Sequence, residues 1–344
     1  MTIPEPDLTV TETYNRRIIE LRLLHHWTMN TSFTMPGVQI PEVQRIWHTG
    51  MVSLALSYPF LLHAIFSLAA LHIIRYPDPE SPLSIDIYRH YLIAAVNGHR
   101  FTLGSLEALS QVDAVHLTSL IISIHLIAEL NSGSSGPYKP PTQWLNMATR
   151  AGAATNMVCI RKANIQSTFT WATFPPSPHS ISRAEVLNRD NISNVGLYNV
   201  MERWQGDGDE FPFQETTKAA YEDALAFIGW IELDIRRGLS IHETARRLLA
   251  FGHYIIPLFA ELVEKGRPRA LVILASFFSC FATLGSIWWC EGVANQEVMG
   301  IWNILPDNCW KTKMAWAIEK LNLEKEQNYI FENLVSRPSA QGLA

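Results

Sequence analysis

Two long stretches carry no Lys, Arg, Asp or Glu: Ile46 to Ile74, and Ala270 to Cys290. A run of that length either crosses a bilayer or is a helix buried on all sides in a large interior. His48, His63, His72 and Pro59 interrupt the first run, and imidazoles are costly in hydrocarbon. The second, with Trp288 and Trp289 where an interfacial belt would sit, is the better candidate span. Composition favours burial. Charged residues are 17% of 344 and apolar ones 48%, so the chain has the material for a large core, and no transmembrane span is expected.

Helical spacing dominates the rest. Ile18, Leu21, Leu24 and His25 open an amphipathic pattern over 15 to 33, which Pro36-Gly37 stops. Pro41 suits the first turn of a helix to Tyr58, and Pro59 that of another to Arg75. Further helices are expected over 84–109, 111–130, 143–158, 215–237, 240–265, 267–290, 294–304 and 308–322. The segment 131–142 is rich in Gly, Ser and Pro and reads as a loop. Residues 160–213 read as an irregular connector, with short helices near Glu185 and Tyr198. Alternating strand patterns are almost absent, so the expected fold is all-α: one large irregular helical domain over 15–322. Tails of 1–14 and 323–344 flank it.

Several chemistries are disfavoured. The net charge is −5, and Arg236-Arg237 and Arg246-Arg247 make no basic face, so direct nucleic-acid binding by this chain is not expected. Cys159, Cys280, Cys290 and Cys309 lack the paired spacing of a zinc site. The start Met-Thr-Ile-Pro-Glu-Pro-Asp has no secretory character, so these cysteines read as reduced, intracellular residues. His242-Glu243-Thr-Ala-Arg246 has arginine where a metalloprotease helix needs its second histidine. Asp207-Gly-Asp209-Glu210 is too short for a calcium loop. His63 and His72, and His116 and His125, are nine apart, and His25-His26 diverge by about 100° on a helix. They read as core-associated histidines with local hydrogen bonds. No metal, cofactor or catalytic residue is expected.

The aromatic residues of the last third are more informative. Phe277, Phe278, Phe281, Trp288, Trp289, Trp302, Trp310 and Trp316 crowd one segment. Such rings serve a pocket for a rigid lipophilic ligand or an ordinary core equally well, and spacing does not separate the two.

The order of residues adds a resemblance. Glu20-Leu21-Arg22-Leu23-Leu24-His25-His26-Trp27-Thr28 resembles the opening "ELxLLHHYT" helix of the fungal sterol uptake control proteins. Trp47, then Ala55 and Pro59-Phe60-Leu61-Leu62-His63-Ala64-Ile65, is similar to their "W…A…P(F/Y)LLHAIL" signature, and Ala70-Leu71-His72 follows as their "ALH" does. Arg269-Ala270-Leu271-Val272-Ile273-Leu274-Ala275 resembles "RALVILAHY". Trp288-Trp289, Gly292, Leu305-Pro306, Trp310 and Trp316 echo the "WWxxGW…LP…W…WP" tail. Ser276 stands for the usual histidine, Val293 for the tryptophan after glycine, and Ala317 for the final proline.

The resemblance implies an all-helical regulatory domain of a zinc binuclear cluster transcription factor. In sterol-responsive members this is a dimeric receptor whose apolar C-terminal pocket holds ergosterol, and sterol loss releases the factor to the nucleus. Other relatives regulate genes near secondary-metabolite clusters. The family's six-cysteine DNA-binding module has no counterpart in these residues. The expectation is therefore a domain for a sterol-like effector that controls lipid or secondary-metabolite genes. It would be a homodimer, or a heterodimer with a full-length factor, in nucleus and cytoplasm. The expected ligand residues are Phe60, Leu61, Phe277, Phe278, Phe281, Trp288, Trp289 and Gly292. The alternative is an enzyme acting on a lipophilic metabolite in the same helical interior.

Overall fold

The computed structural model describes residues 14–77, 83–104, 111–130, 136–149, 182–204 and 214–322. Among them every regular element is a helix or helical turn, and the fold is all-α. The chain divides into two compact units, Met1–Ile121 and Ile122–Ala344, with the division inside one helix.

The first unit contains α1 (Tyr14–Met29), α2 (Pro41–Arg45), α3 (Met51–Ala55), α4 (Pro59–Arg75), α5 (Ile85–Leu103) and the first half of α6 (Val112–Leu130). Pro59 follows extended Tyr58 and starts α4, where its missing N–H costs nothing. Ser84 caps α5, its hydroxyl accepting from the Asp86 amide at 3.2 Å. The helix expected from Pro41 to Tyr58 runs without a break from Pro41 to Ala55, with one wider turn, Ile46–Gly50, inside it.

Two indoles fix that segment. Trp27 Nε1 donates to the Trp47 carbonyl at 3.2 Å, and Trp47 Nε1 to the Pro36 carbonyl at 2.9 Å, both fully buried. Each ring buries apolar area while its one polar atom is satisfied.

The second unit continues with a helix at 142–149 (α7), α8 (Arg183–Val186), α9 (Asp190–Asn194) and α10 (Glu215–Arg236). Then come α11 (Ile241–Leu249), α12 (Phe251–Tyr254), α13 (Pro257–Glu264), α14 (Pro268–Ser279), α15 (Val293–Ile304), α16 (Asn308–Lys313) and a helix at 315–322 (α17). The connector's described part does carry short helices at Glu185 and Tyr198. The expected helix 240–265 is broken into three, and Pro257, which holds Ile256 extended, makes the second break.

The expected helix 267–290 ends early. α14 has 12 residues and passes into a tight turn, Cys280–Leu284. Ser279 and Thr283 hydroxyls bond carbonyls three residues back, at 2.8 and 3.0 Å, and such bonds compete with continued helix. Twelve residues do not span a bilayer. Among the described helices α6 alone is by itself long and apolar enough to cross, and 61% of its most apolar window is buried within the protein; Pro257–Glu264 and Pro268–Leu284 pass the same test only together, across a bend of 111°.

The double arginines are consumed locally. Arg236 bonds Glu232 at 2.8 Å and Arg237 bonds Asp234 at 3.1 Å. Arg246 grips Glu243 with two bonds of 2.7 and 2.5 Å, and Arg247 bonds Asp234 while lying 4.8 Å over the Trp230 ring.

The α9–α10 contact rests on Gly229. A Cβ there would lie 2.4 Å from the Asn191 carbonyl oxygen, and that backbone is itself held by Asn191 Nδ2, which bonds the Glu185 and Val186 carbonyls at 3.1 Å. Gly229→Ala should therefore destabilise the protein by about 1–3 kcal/mol, as overpacking does elsewhere, despite alanine's better helix propensity. Urea unfolding followed by circular dichroism measures it. An unchanged midpoint would mean that α9 moves away from α10 at no cost.

Candidate functional site

The residues nominated for a ligand divide between the two units. Phe60 and Leu61 lie in the first turn of α4 and are buried there, the Phe60 ring 6.0 Å from Tyr58 and 6.5 Å from His99. Phe277, Phe278 and Phe281 belong to the second unit, as do Trp288, Trp289 and Gly292.

Phe277 is at the centre of that second group. Its ring stacks on Phe251 at 4.2 Å and on Trp144 at 5.5 Å, and meets Phe278 and Phe281 edge-on at 5.2 and 5.5 Å. Trp144 Nε1 donates to Ser123 Oγ at 3.0 Å. These rings pack on one another. Trp288 and Trp289 are buried in the turn that follows. Trp144 and Phe251, outside the nominated set, complete the stack, and their sequence surroundings give no sign of it.

Gly292 precedes α15 with φ +75°, a left-handed conformation that explains glycine there by backbone freedom. One turn into α15 lies the largest anomaly of the region. Glu297 is 2% exposed among Val293, Ala294, Val298 and Ile301. Tyr138 Oη donates to its Oε2 at 2.7 Å, and Gln296 Nε2 bonds the Leu130 carbonyl. The Tyr138 ring lies against Gly300, where a Cβ would come within 2.2 Å of it. Burial pushes the Glu297 carboxyl up to about 7, against the opposing effect of the Tyr138 bond. Burial likewise raises the Tyr138 hydroxyl, with the facing carboxylate adding to it. Sequence reasoning missed this pair, although the 293–297–300–301 spacing places an acid on the buried face of a helix.

Arg269 opens the "RALVILA" stretch and is fully buried. Its guanidinium donates to the Val200 and Glu202 carbonyls and lies 5.1 Å over Trp310. Trp204 meets Trp310 at 4.6 Å, and Lys313 bonds the Asn199 carbonyl at 2.6 Å. The arginine and tryptophan of two separate sequence motifs thus form one contact. Ser276, standing for the family's histidine, turns its hydroxyl to the Val272 carbonyl at 3.0 Å.

The remaining polar groups are structural in geometry. His26 Nε2 is 3.3 Å from His72 Nδ1, which is 3.0 Å from Thr31 Oγ1, and burial lowers His72 to about 4. Burial lowers His116 to about 3 and pushes the Cys280 thiol up to about 12. Neither suits proton transfer or nucleophilic attack near neutrality. Cys159 and the 207–210 acids lie outside the described residues. No group of three metal-ligating side chains occurs among the described residues. Near the end of the second unit a groove of about 570 Å³ is lined by Trp302, Lys311, Ala315, Ile318, Glu319 and Asn322.

No protein-family model matches the chain. Curated relatives do. A Zn(2)-C6 fungal-type transcription factor, afumD, of Aspergillus fumigatus is 32% identical over 257 residues, 74% of this chain and 65% of the relative. This chain is a homologue of the fungal Zn(2)-C6 transcription factors. A second such factor, from Gibberella zeae, is 26% identical over 90% of this chain and 63% of its own length. Sterol uptake control protein 2 of Saccharomyces cerevisiae is 23% identical over 81% of this chain and 30% of its own length. The chain thus spans just under two thirds of the first two relatives' length.

Glu297 makes stability depend on pH in a direction that can be worked out. Its folded value, about 7, exceeds the ordinary 4.5, so the folded chain holds the proton more tightly than the unfolded one. Its own contribution to stability is greatest below about 4.5, declines as pH rises through 7, and is then lower by on the order of 3 kcal/mol. Glu297→Gln keeps an acceptor for Tyr138 without a charge to bury. Relative to the parent it should gain stability between about pH 5 and about pH 8 by a few kcal/mol. Urea midpoints at the two pH values measure this, and a variant-minus-parent difference that stays constant would show that Glu297 does not titrate there.

Proposed function

We propose that this chain is the effector-responsive regulatory part of a fungal transcription factor, and that its effector is a sterol-like lipophilic molecule held in the second unit. The supporting observation is the collinear similarity to sterol uptake control protein 2, which extends over 81% of the chain. The protein would act in the nucleus and cytoplasm on lipid or secondary-metabolite genes, as a homodimer or with a full-length factor that supplies DNA contact.

The ring stack sets the physics of such binding. Phe277, Phe251 and Trp144 already satisfy one another, so an apolar effector has to replace ring–ring contacts with equally extensive ones of its own. It would then act by population shift, favouring the conformer or oligomer in which the stack is opened. Buried Glu297 and Tyr138 offer the region's polar handle. The same pair is what favours the second reading, an enzyme for a lipophilic metabolite, because a carboxyl near 7 is suited to acid–base work.

Mass spectrometry of lipids co-purified with the chain from a fungal host tests the first reading. A stoichiometric sterol or similar lipid is expected from the parent. Gly292→Asp should lose at least about tenfold of it, through a charge near apolar surface. Gly292→Asn adopts left-handed backbone about as well as Asp, so it isolates charge from strain and should retain the lipid. A folded parent that carries no lipid and gains no thermal stability from added ergosterol would overturn the proposal.

A further inference from the structure

Tyr138 fills a slot of its own shape in the second unit. It belongs to the stretch 136–141, which has no regular structure, and Pro137 and Lys139 on either side of it are exposed. Pro137, Pro140 and Pro141 have no N–H to give. The Thr142 amide bonds the Pro140 carbonyl at 2.7 Å and the Leu145 amide the Pro141 carbonyl at 3.1 Å, which ties the stretch to its own continuation in α7. Tyr138 ties it to α15, through the phenol on Glu297 at 2.7 Å.

The ring rests on bare backbone. Gly300 is one turn beyond Glu297 on the same face of α15, and a Cβ there would lie 2.2 Å from Tyr138 Cδ2 and 2.3 Å from its Cε2. The side chain thus runs from an exposed stretch, along the Gly300 notch, to a carboxyl that is 2% exposed. Swung out, it leaves a flat slot with the dimensions of one phenol, ending in a hydrogen-bond acceptor. An ionised carboxylate only accepts, so the occupant must donate. An ammonium would bring three donors to one carboxylate among buried, apolar Val293, Ala294, Val298 and Ile301, and leave some of them unmet. A neutral hydroxyl on a flat ring meets the acceptor with one donor and fills the rest with carbon.

We propose that this Glu297–Gly300 slot is the hydroxyl subsite of the effector, that it takes a phenol or a flat ring alcohol, and that Tyr138 is the resident competitor such a ligand displaces. The proposal rests on the effector reading for what the ligand does in the cell, and the slot itself is tested apart from that reading. Occupancy frees the stretch 136–141 from α15, so binding at a buried acid is reported at the protein's surface. The apparent affinity of the parent is reduced by the fraction of chains in which Tyr138 is seated.

The probe is p-cresol, a tyrosine side chain without its backbone, and the control is its methyl ether, which has the same ring and no donor. Both are titrated calorimetrically into the full chain at about pH 8.5, where Glu297 is ionised. Tyr138→Ala should bind p-cresol at least about tenfold more tightly than it binds the ether, and at least about tenfold more tightly than the parent binds p-cresol. Adding Gly300→Ala, which suits a helix and fills the notch, should abolish that binding. Adding Glu297→Leu instead should erase the preference for p-cresol over the ether. Should Tyr138→Ala be unfolded on its own, p-cresol should restore its helical circular dichroism and the ether should not. Equal binding of the two probes, binding that survives Gly300→Ala, a parent that binds as well as the variant, or neither binding nor rescue would each overturn the slot. Ergosterol separates the two readings. If both chains bind it, Tyr138→Ala should do so about tenfold more tightly, and equal affinities would refute the subsite while the effector reading stands. If neither binds it, the sterol-like effector fails and the p-cresol result alone decides the slot.

Discussion

Arg269 brings a permanent positive charge into the interior of the second unit, and much of that unit is arranged to receive it. Removing a guanidinium from water is costly unless its donors are met, and here the Val200 and Glu202 carbonyls and the Trp310 ring meet them. The carbonyls come from the segment before α10, the ring from α16, and the arginine from the start of α14. One side chain thereby sets where three separate parts of the chain meet. Trp204 and Lys313 close the same cluster from outside, the lysine lying 5.6 Å over the Trp204 ring.

Among the described residues two buried carboxylates obey the same rule, and a third, Glu297, does not. Glu243 holds Arg246 and Arg247, and Glu232 holds Arg236 and Lys320, so each carboxylate has its counterion. Glu297 has a phenol instead. A hydrogen bond to a neutral donor stabilises a carboxylate far less than a guanidinium does, and its affinity for a proton rises accordingly. An acid of this kind lowers stability at neutral pH. Its position beside Gly292 and the double tryptophan ties it to the region that the effector reading concerns.

Helical content was legible because apolar spacing and prolines carry it locally. Pro59 and Pro268 mark the starts of α4 and α14 through the geometry of proline alone. Lengths were less legible. The uncharged run from Ala270 to Cys290 reads as one long helix, yet hydroxyl-to-backbone bonds at Ser279 and Thr283 end it in a tight turn. Composition reports burial there, and it does not report backbone path. The motif residues Trp27, Trp47, Arg269 and Trp310 stood out in the sequence by their order, but their partners, carbonyls at Trp47, Pro36 and Val200, carry no side-chain signature.

What the sequence determined by itself was an all-helical, charge-poor chain whose motif order resembles that of the fungal sterol uptake control proteins, since period, proline placement and motif order are properties of neighbours along the chain. Tertiary structure alone decided that Phe277 stacks on Phe251 and Trp144, that Tyr138 reaches Glu297 across 159 positions, and that Gly229 admits the Asn191 backbone. Those contacts depend on distance in space between residues remote in sequence. Burial changes the chemistry of a group only through the neighbours it acquires, so the Glu297 carboxyl became distinctive only once the fold had surrounded it.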